Sequence, residues 1–255
     1  MASRDEPRKG WFFRICNSNV LKKCGKRSMK LASVEIDGNE RFGVIEGDSI
    51  RLAQSKHATL RDFLASGDEM PSGGDTVAIK DATFLPVITN PSKIICVGVN
   101  YASHIAEMGR EPGRYPLLFV RWDESQVGHG QPIIKPLESD HLDYEGELAV
   151  IIGKGGRRIK EEDALDAIAG YSIYNDGSVR DWQRHTTQFT AGKNFVATGG
   201  FGPWMVTKDE IPDPSTLTIE TRLNGNIMQA APISDLVFNV GKLLAYISTF
   251  TPLQA

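Results

Sequence analysis

The sequence predicts a β-rich α+β protein. Apolar residues fall in short runs separated by Gly, Pro, Asn and Asp, the pattern of short strands joined by turns. Helical periodicity is confined to a few stretches, so strands are not regularly interleaved with helices as in a doubly wound sheet. The chain has 255 residues, 40% hydrophobic and 24% charged. That is an ordinary globular composition, long enough for one large domain or a large and a small one.

The elements follow in order. Leu31 to Ile36 and Arg41 to Ile45 flank Asp37-Gly38-Asn39, a hairpin turn built on Asp-Gly. Leu60 to Leu64 predicts a short helix, and Pro86 and Pro91 bracket a linker. Residues 29–90 therefore read as a small N-terminal domain and residues 91–255 as the main body. In that body Ile94 to Gly98 is a strand. Tyr101 to Met108 is a short helix, with Asn100 near its N-cap and Gly109 at its end. Leu117 to Val120 and Ile133-Ile134 are strand pieces, and Leu148 to Ile152 is a strand. Glu161 to Ile168 reads as a helix and Gly170 to Tyr174 as a strand. Ser178 with Asp181 suggests a capping box opening a helix just after Asp176. Leu217 to Leu223 is a strand and Asn224-Gly225-Asn226 a tight turn. Asp235 is expected to cap a last helix with Leu236, Val240, Leu243, Leu244 and Ile247 on its apolar face. There is no internal repeat.

Charge is uneven. Residues 1–28 hold eight Lys/Arg against two acids, a net of +6, which leaves −9 on the rest of a chain of net charge −3. An acidic body argues against nucleic acid as a partner. The basic head predicts a disordered extension, with Met29 as a natural start that passes straight into a strand. No stretch is apolar for long enough to span a bilayer, so no membrane partner is expected. Cys16, Cys24 and Cys96 are odd in number and scattered, which suggests neither a disulfide framework nor a thiolate metal site. A reducing cytoplasm is the expected location.

Asp143-Tyr144-Glu145-Gly146-Glu147 leads into an apolar strand. Side chains two apart on a strand share a face, so Glu145 and Glu147 project together. Either they line a solvated strand edge, or a hard divalent cation relieves their repulsion. Asp176 ends a strand and precedes the expected helix, a common place for a functional side chain. On its own it reads as a turn-former, and with the two glutamates it makes a third carboxylate for an octahedral ion. His104 and Glu107, three apart on a short helix, share a face. They read either as an exposed pair or as a base whose imidazole a carboxylate orients, on a segment mobile enough to act as a lid. Lys193 is either a surface charge or the partner of a substrate carboxylate or developing oxyanion. Gly153-Lys154-Gly155-Gly156 lacks the order of a phosphate loop. There is no Gly-x-Ser-x-Gly elbow, and His129, His141 and His185 lack metal-ligand spacing.

In combination these pieces resemble the fumarylacetoacetate hydrolase family. The resemblance rests on Lys93 to Tyr101 running into His104 and Glu107, then Asp143 to Gly153, then Gly170-Tyr171 through Asn175-Asp176. It continues through Ser178, Arg180-Asp181, Gln183, Gly192-Lys193, Gly202-Pro203-Trp204 and Asn224-Gly225. It implies a mixed β-sandwich roll and a homodimer. It also implies Mg²⁺ or Mn²⁺ held by Glu145, Glu147 and Asp176, a dyad of His104 and Glu107, and a small 2-oxo acid substrate contacted by Gln183 and Lys193. The implied activity is hydrolytic C–C cleavage of an acylpyruvate-type compound from aromatic breakdown. Decarboxylation, hydration or isomerisation on the same site are the alternatives. Thr187 stands where fumarylacetoacetate hydrolase itself has a substrate-contacting tyrosine. The family's closing Gly-Asp…Thr-Gly-Thr-Pro segment is not matched before Ala255. The chain is therefore expected to lack the end of its roll, and a catalytically impaired product of a truncated gene is the reading from another class.

Overall fold

The computed structural model describes residues 11–16, as backbone only, and 29–255 in full. Its main feature among the described residues is a curled ten-stranded sheet. Eight strands run in the order Thr76–Ala78, Ser49–Leu52, Asn39–Glu46, Lys30–Ile36, Met205–Thr207, Ile168–Asp176, Gly199–Phe201 and Gln126–Gly128. Gly146–Ile152 pairs antiparallel with Ile168–Asp176, and Thr83–Phe84 with Lys30–Ile36. The β-rich α+β class predicted from the sequence is the one observed.

Most elements lie where the pattern put them. The first hairpin turns through Asp37 and Gly38, both at positive φ. The first helix, Leu60–Ser66, is capped by the Thr59 hydroxyl and ended by a left-handed Gly67. The last, Val240–Phe250, buries Val240, Leu244 and Ile247 against Tyr171, Leu217, Ile219 and Ile233.

Several expectations are corrected. Ile133-Ile134 is not strand. Glu161–Ala167 is a 3-10 helix, since the chain must turn into the strand that starts at Ile168. The last helix is capped by Asn239, not Asp235. Ser178 does not open a helix with Asp181. Ser178–Val179 pairs with Leu142–Asp143, and only four residues, Arg180–Gln183, are helical after it. Within the basic head, Trp11–Cys16 is a strand rather than unstructured chain, paired antiparallel with Thr218–Leu223. Its aromatic and β-branched run suits a strand, and it covers an open sheet edge. The rest of the head lies outside the described residues. The strands of residues 29–90 and those of the body share one sheet, joined where Leu31 pairs with Met205.

Candidate metal and substrate site

The site is built by strand register. Gly146 pairs with Asn175 and Glu147 with Tyr174, and just beyond the ladder the Asp176 amide donates to the Glu145 carbonyl at 2.8 Å. Directly opposed residues on antiparallel strands present side chains to one face. The register that buries Leu148 and Val150 against the core therefore also sets Glu145 opposite Asp176, with Glu147 on the same face.

Two further segments deliver cations to these carboxylates. The strand Leu117–Arg121 ends in Arg121, whose side chain is fully buried. Its Nη1 donates to Asp176 Oδ1 at 2.6 Å and to the Gly177 carbonyl at 2.9 Å, and Nη2 donates to Thr198 Oγ1 at 2.8 Å. The turn Thr190–Lys193 brings in Lys193, which is 1% exposed. Its Nζ donates to Glu145 Oε2 at 2.6 Å and Asp176 Oδ2 at 2.7 Å, and lies 4.9 Å from the centre of the Phe119 ring. Asn194 fixes that turn to the neighbouring strand: it accepts from the Trp122 amide and donates to the Val120 carbonyl. Gly192 allows the approach, because a Cβ there would collide with the backbone of Gln183.

Glu145 Oε1 accepts from Ser178 Oγ at 3.1 Å and from Arg180, which also pairs with Asp143 and donates to Gln183 Oε1 at 3.1 Å. Both oxygens of Glu145 and of Asp176 are thus bound by cationic or hydroxyl donors. Glu147 differs. Among the described residues its carboxylate has no hydrogen bond or ion pair. Burial, and then the charges of Asp176 and Glu145, push its pKa up to about 8. The Cys96 thiol and the Tyr101 hydroxyl lie close enough to feel these charges, though burial is the main cause raising both.

The structure brings together Glu145, Asp176, Lys193 and, through Arg180, Gln183. Glu147 lies beside them. His104 and Glu107 are not brought in. They sit on the helix Ala102–Glu107, 60% and 76% exposed, and their contact is long at 3.5 Å. The root of that helix does reach the cluster, through Tyr101. Thr187 is exposed. Sequence reasoning gave no role to Arg121, whose signal was a lone arginine ending an apolar strand; such a residue, if buried, requires an anion. Ser178, read as a cap with Asp181, and Arg180, part of the family resemblance, both bind Glu145 instead.

Among the described residues no three His, Cys, Asp or Glu side chains are gathered closely enough to hold one ion. The chemistry of the donors nonetheless fits a hard cation. They are oxygen-only, with one carboxylate unpaired and a positive group already standing between the other two.

Comparison with known proteins settles the family. Residues 93–255 match the model of the fumarylacetoacetate (FAA) hydrolase C-terminal domain. The chain belongs to this family. A mitochondrial oxaloacetate tautomerase of Xenopus laevis is 39% identical over 205 residues, 76% of this chain and 64% of its own length. The chain spans 55–64% of the length of the first curated relatives it matches. Among solved structures, a fumarylacetoacetate hydrolase from the psychrophile Exiguobacterium antarcticum superposes with a TM-score of 0.80 at 35% identity, covering 89% of this chain and 84% of that one. A maleylpyruvate hydrolase from Sphingobium, solved with manganese(II) and pyruvate, gives 0.71 at 26% identity, covering 89% and 85%. These family relatives are enzymes, and their reactions differ. No helix among the described residues is long and apolar enough to cross a membrane.

Proposed function

We propose that this chain is a divalent-metal-dependent enzyme acting on small 2-oxo acids, with enolisation at the carbon beside the oxo group as its core step and oxaloacetate as the first substrate to test. The observation that carries the proposal is the carboxylate cluster of Glu145, Glu147 and Asp176, in which Glu147 has no ion pair of its own among the described residues and only the nearby Lys193 charge offsets its burial. These three side chains would hold Mg²⁺ or Mn²⁺. When bound, the ion supplies positive charge that offsets negative charge developing at a 2-oxo oxygen. Lys193 and Gln183 orient the substrate carboxylate: Lys193 by charge, Gln183 through an amide that Arg180 holds in place. Phe119, 4.9 Å from the Lys193 ammonium, and the largely buried Tyr101 would form an apolar wall beside the bound substrate. The oxaloacetate tautomerase relatives favour this reading.

A second reading, hydrolytic C–C cleavage of an acylpyruvate, is favoured by the His104–Glu107 pair and by the maleylpyruvate hydrolase neighbour. In it His104, oriented by Glu107, takes a proton from water. The helix carrying the pair would first have to close on the cluster. A homodimer is part of the same proposal, to be checked by sedimentation.

The test is a turnover screen with Mg²⁺ and with Mn²⁺ over oxaloacetate, acylpyruvates and unsaturated 2-oxo diacids. Activity on oxaloacetate enol–keto exchange that falls at least 100-fold in Glu145→Gln supports the first reading. Cleavage that depends on His104 supports the second. A Glu145→Ala protein that kept both metal affinity and activity would sink the site assignment.

A further inference from the structure

The Lys193 ammonium occupies the space between Glu145 Oε2 and Asp176 Oδ2, at 2.6 and 2.7 Å. Those oxygens are the ones free to face a ligand. On Asp176 the other oxygen is held by Arg121, and on Glu145 it is held by Ser178 and Arg180. A cation bridging Glu145 and Asp176 on the side not occupied by Arg121, Ser178 and Arg180 meets the same two oxygens that Lys193 holds. Two positive groups cannot share that space without strong repulsion.

We infer that Lys193 is a built-in competitor for the metal, and that metal entry releases its ammonium from the carboxylates and turns it over to the substrate carboxylate. The inference rests on the metal site proposed above and deepens it. It gives the binding an order, cation before 2-oxo acid. A lysine held by two carboxylates and 1% exposed offers no free charge to an anion. The same lysine, displaced by a divalent ion, presents a full charge next to that ion. The Phe119 ring, 4.9 Å from Nζ, is an apolar and cation-tolerant surface along which the long side chain can shift without being left bare.

The experiment is calorimetric titration of Mn²⁺ into the wild-type chain, into Lys193→Met and into Arg180→Met. Direct competition predicts that Lys193→Met binds Mn²⁺ at least about tenfold more tightly than wild type, the size of one lost charge-assisted hydrogen bond. Arg180→Met removes an equal charge from the other oxygen of Glu145, and it should gain clearly less. Equal gains in the two variants, or none for Lys193→Met, overturn the inference. A second measurement uses only the wild-type chain. Acetylation of Lys193, followed by mass spectrometry, should be slow in chelator and faster by several-fold in saturating Mn²⁺; an unchanged or slower rate overturns the inference. Mn²⁺ that fails to bind wild type at all removes the metal-site reading, and the inference with it. Mn²⁺ that binds wild type in a Glu145-dependent way but ignores Lys193 removes the inference alone.

Discussion

Glu147 and Arg121 show how one ionisable group of the site is fully paired while another has no hydrogen bond or ion pair among the described residues. Glu147 has a folded-state pKa of about 8 against an ordinary 4.5, raised first by burial and then by Asp176 and Glu145. Between those values the folded chain keeps a proton that the unfolded chain has released. Stability contributed by this group is therefore present at low pH and lost as pH rises from about 4.5 toward 8. In chelator, the Tm of wild type should fall over that window, and Glu147→Gln, which keeps the shape without the charge, should remove that part of the slope. An equal slope in the variant would mean that other groups produce it. Arg121 is the opposite case. Asp176, the Gly177 carbonyl and the Thr198 hydroxyl all depend on it. Arg121→Met leaves Asp176 Oδ1, the Gly177 carbonyl and Thr198 Oγ1 without their donor, while Lys193 still pairs Asp176 Oδ2, and should cost about 1–3 kcal/mol in urea denaturation. Lys at this position should recover only part, since it lacks the planar fork that serves three acceptors. The glutamate pair was legible in the sequence because strand alternation is a local rule. Arg121 was not, because its partner lies 55 positions away.

Among the elements, three polar side chains read as local caps share one kind of error. Asn100, Ser178 and Asp235 each stand beside a short helix or turn, and each bonds across the chain instead. Asn100 donates to the Phe238 carbonyl and accepts from its amide, 138 positions away. Ser178 donates to Glu145, 33 away, as well as to the nearby Asp176 carbonyl. Asp235 accepts from the Ser103 amide and hydroxyl, 132 away. A short polar side chain satisfies a backbone group equally well from near or far, and spacing alone does not separate the two. At Thr59, Asp213 and Asn239 the side chain does accept from a backbone amide of the helix it precedes. The three cross-chain ties have a consequence for the helix bearing His104 and Glu107: two of them fasten its root to residues 235–238, while the dyad itself stays exposed. Asn100→Ala removes both bonds to Phe238 and should cost about 1–3 kcal/mol. Amide exchange should rise across residues 100–109 and 237–239 and remain slow in Gly146–Ile152. Exchange that rose equally in both regions would mean that Asn100 supports the whole fold rather than this helix.

For the whole molecule, the question is whether the strands of residues 29–90 and the body behave as separate units. The hairpin of the first region was legible from its turn. That it joins the larger sheet was not, because the pairing of Leu31 with Met205 is set by long-range register. Two further hydrogen bonds reinforce this seam: the Thr207 amide donates to the Met29 carbonyl, and the Met29 amide to the Thr207 hydroxyl oxygen. The packing crosses it too. Leu31, Phe42, Val44, Phe63 and Val87 share one buried cluster with Ile151 and Met205 of the body, so neither region closes a core of its own there. A seam of shared strands and shared core couples unfolding on its two sides. Calorimetry in chelator should therefore give a single transition. Leu31→Ala, with a side chain 1% exposed, should lower stability by about 2–5 kcal/mol. Under native-state exchange its effect should appear equally on the amides of Lys30–Ile36 and on those of Gly146–Ile152, which carries Glu147. Loss of protection confined to residues 30–52, with the carboxylate-bearing strand unaffected, would show that the two regions unfold independently and that the metal site does not draw its stability from the N-terminal strands.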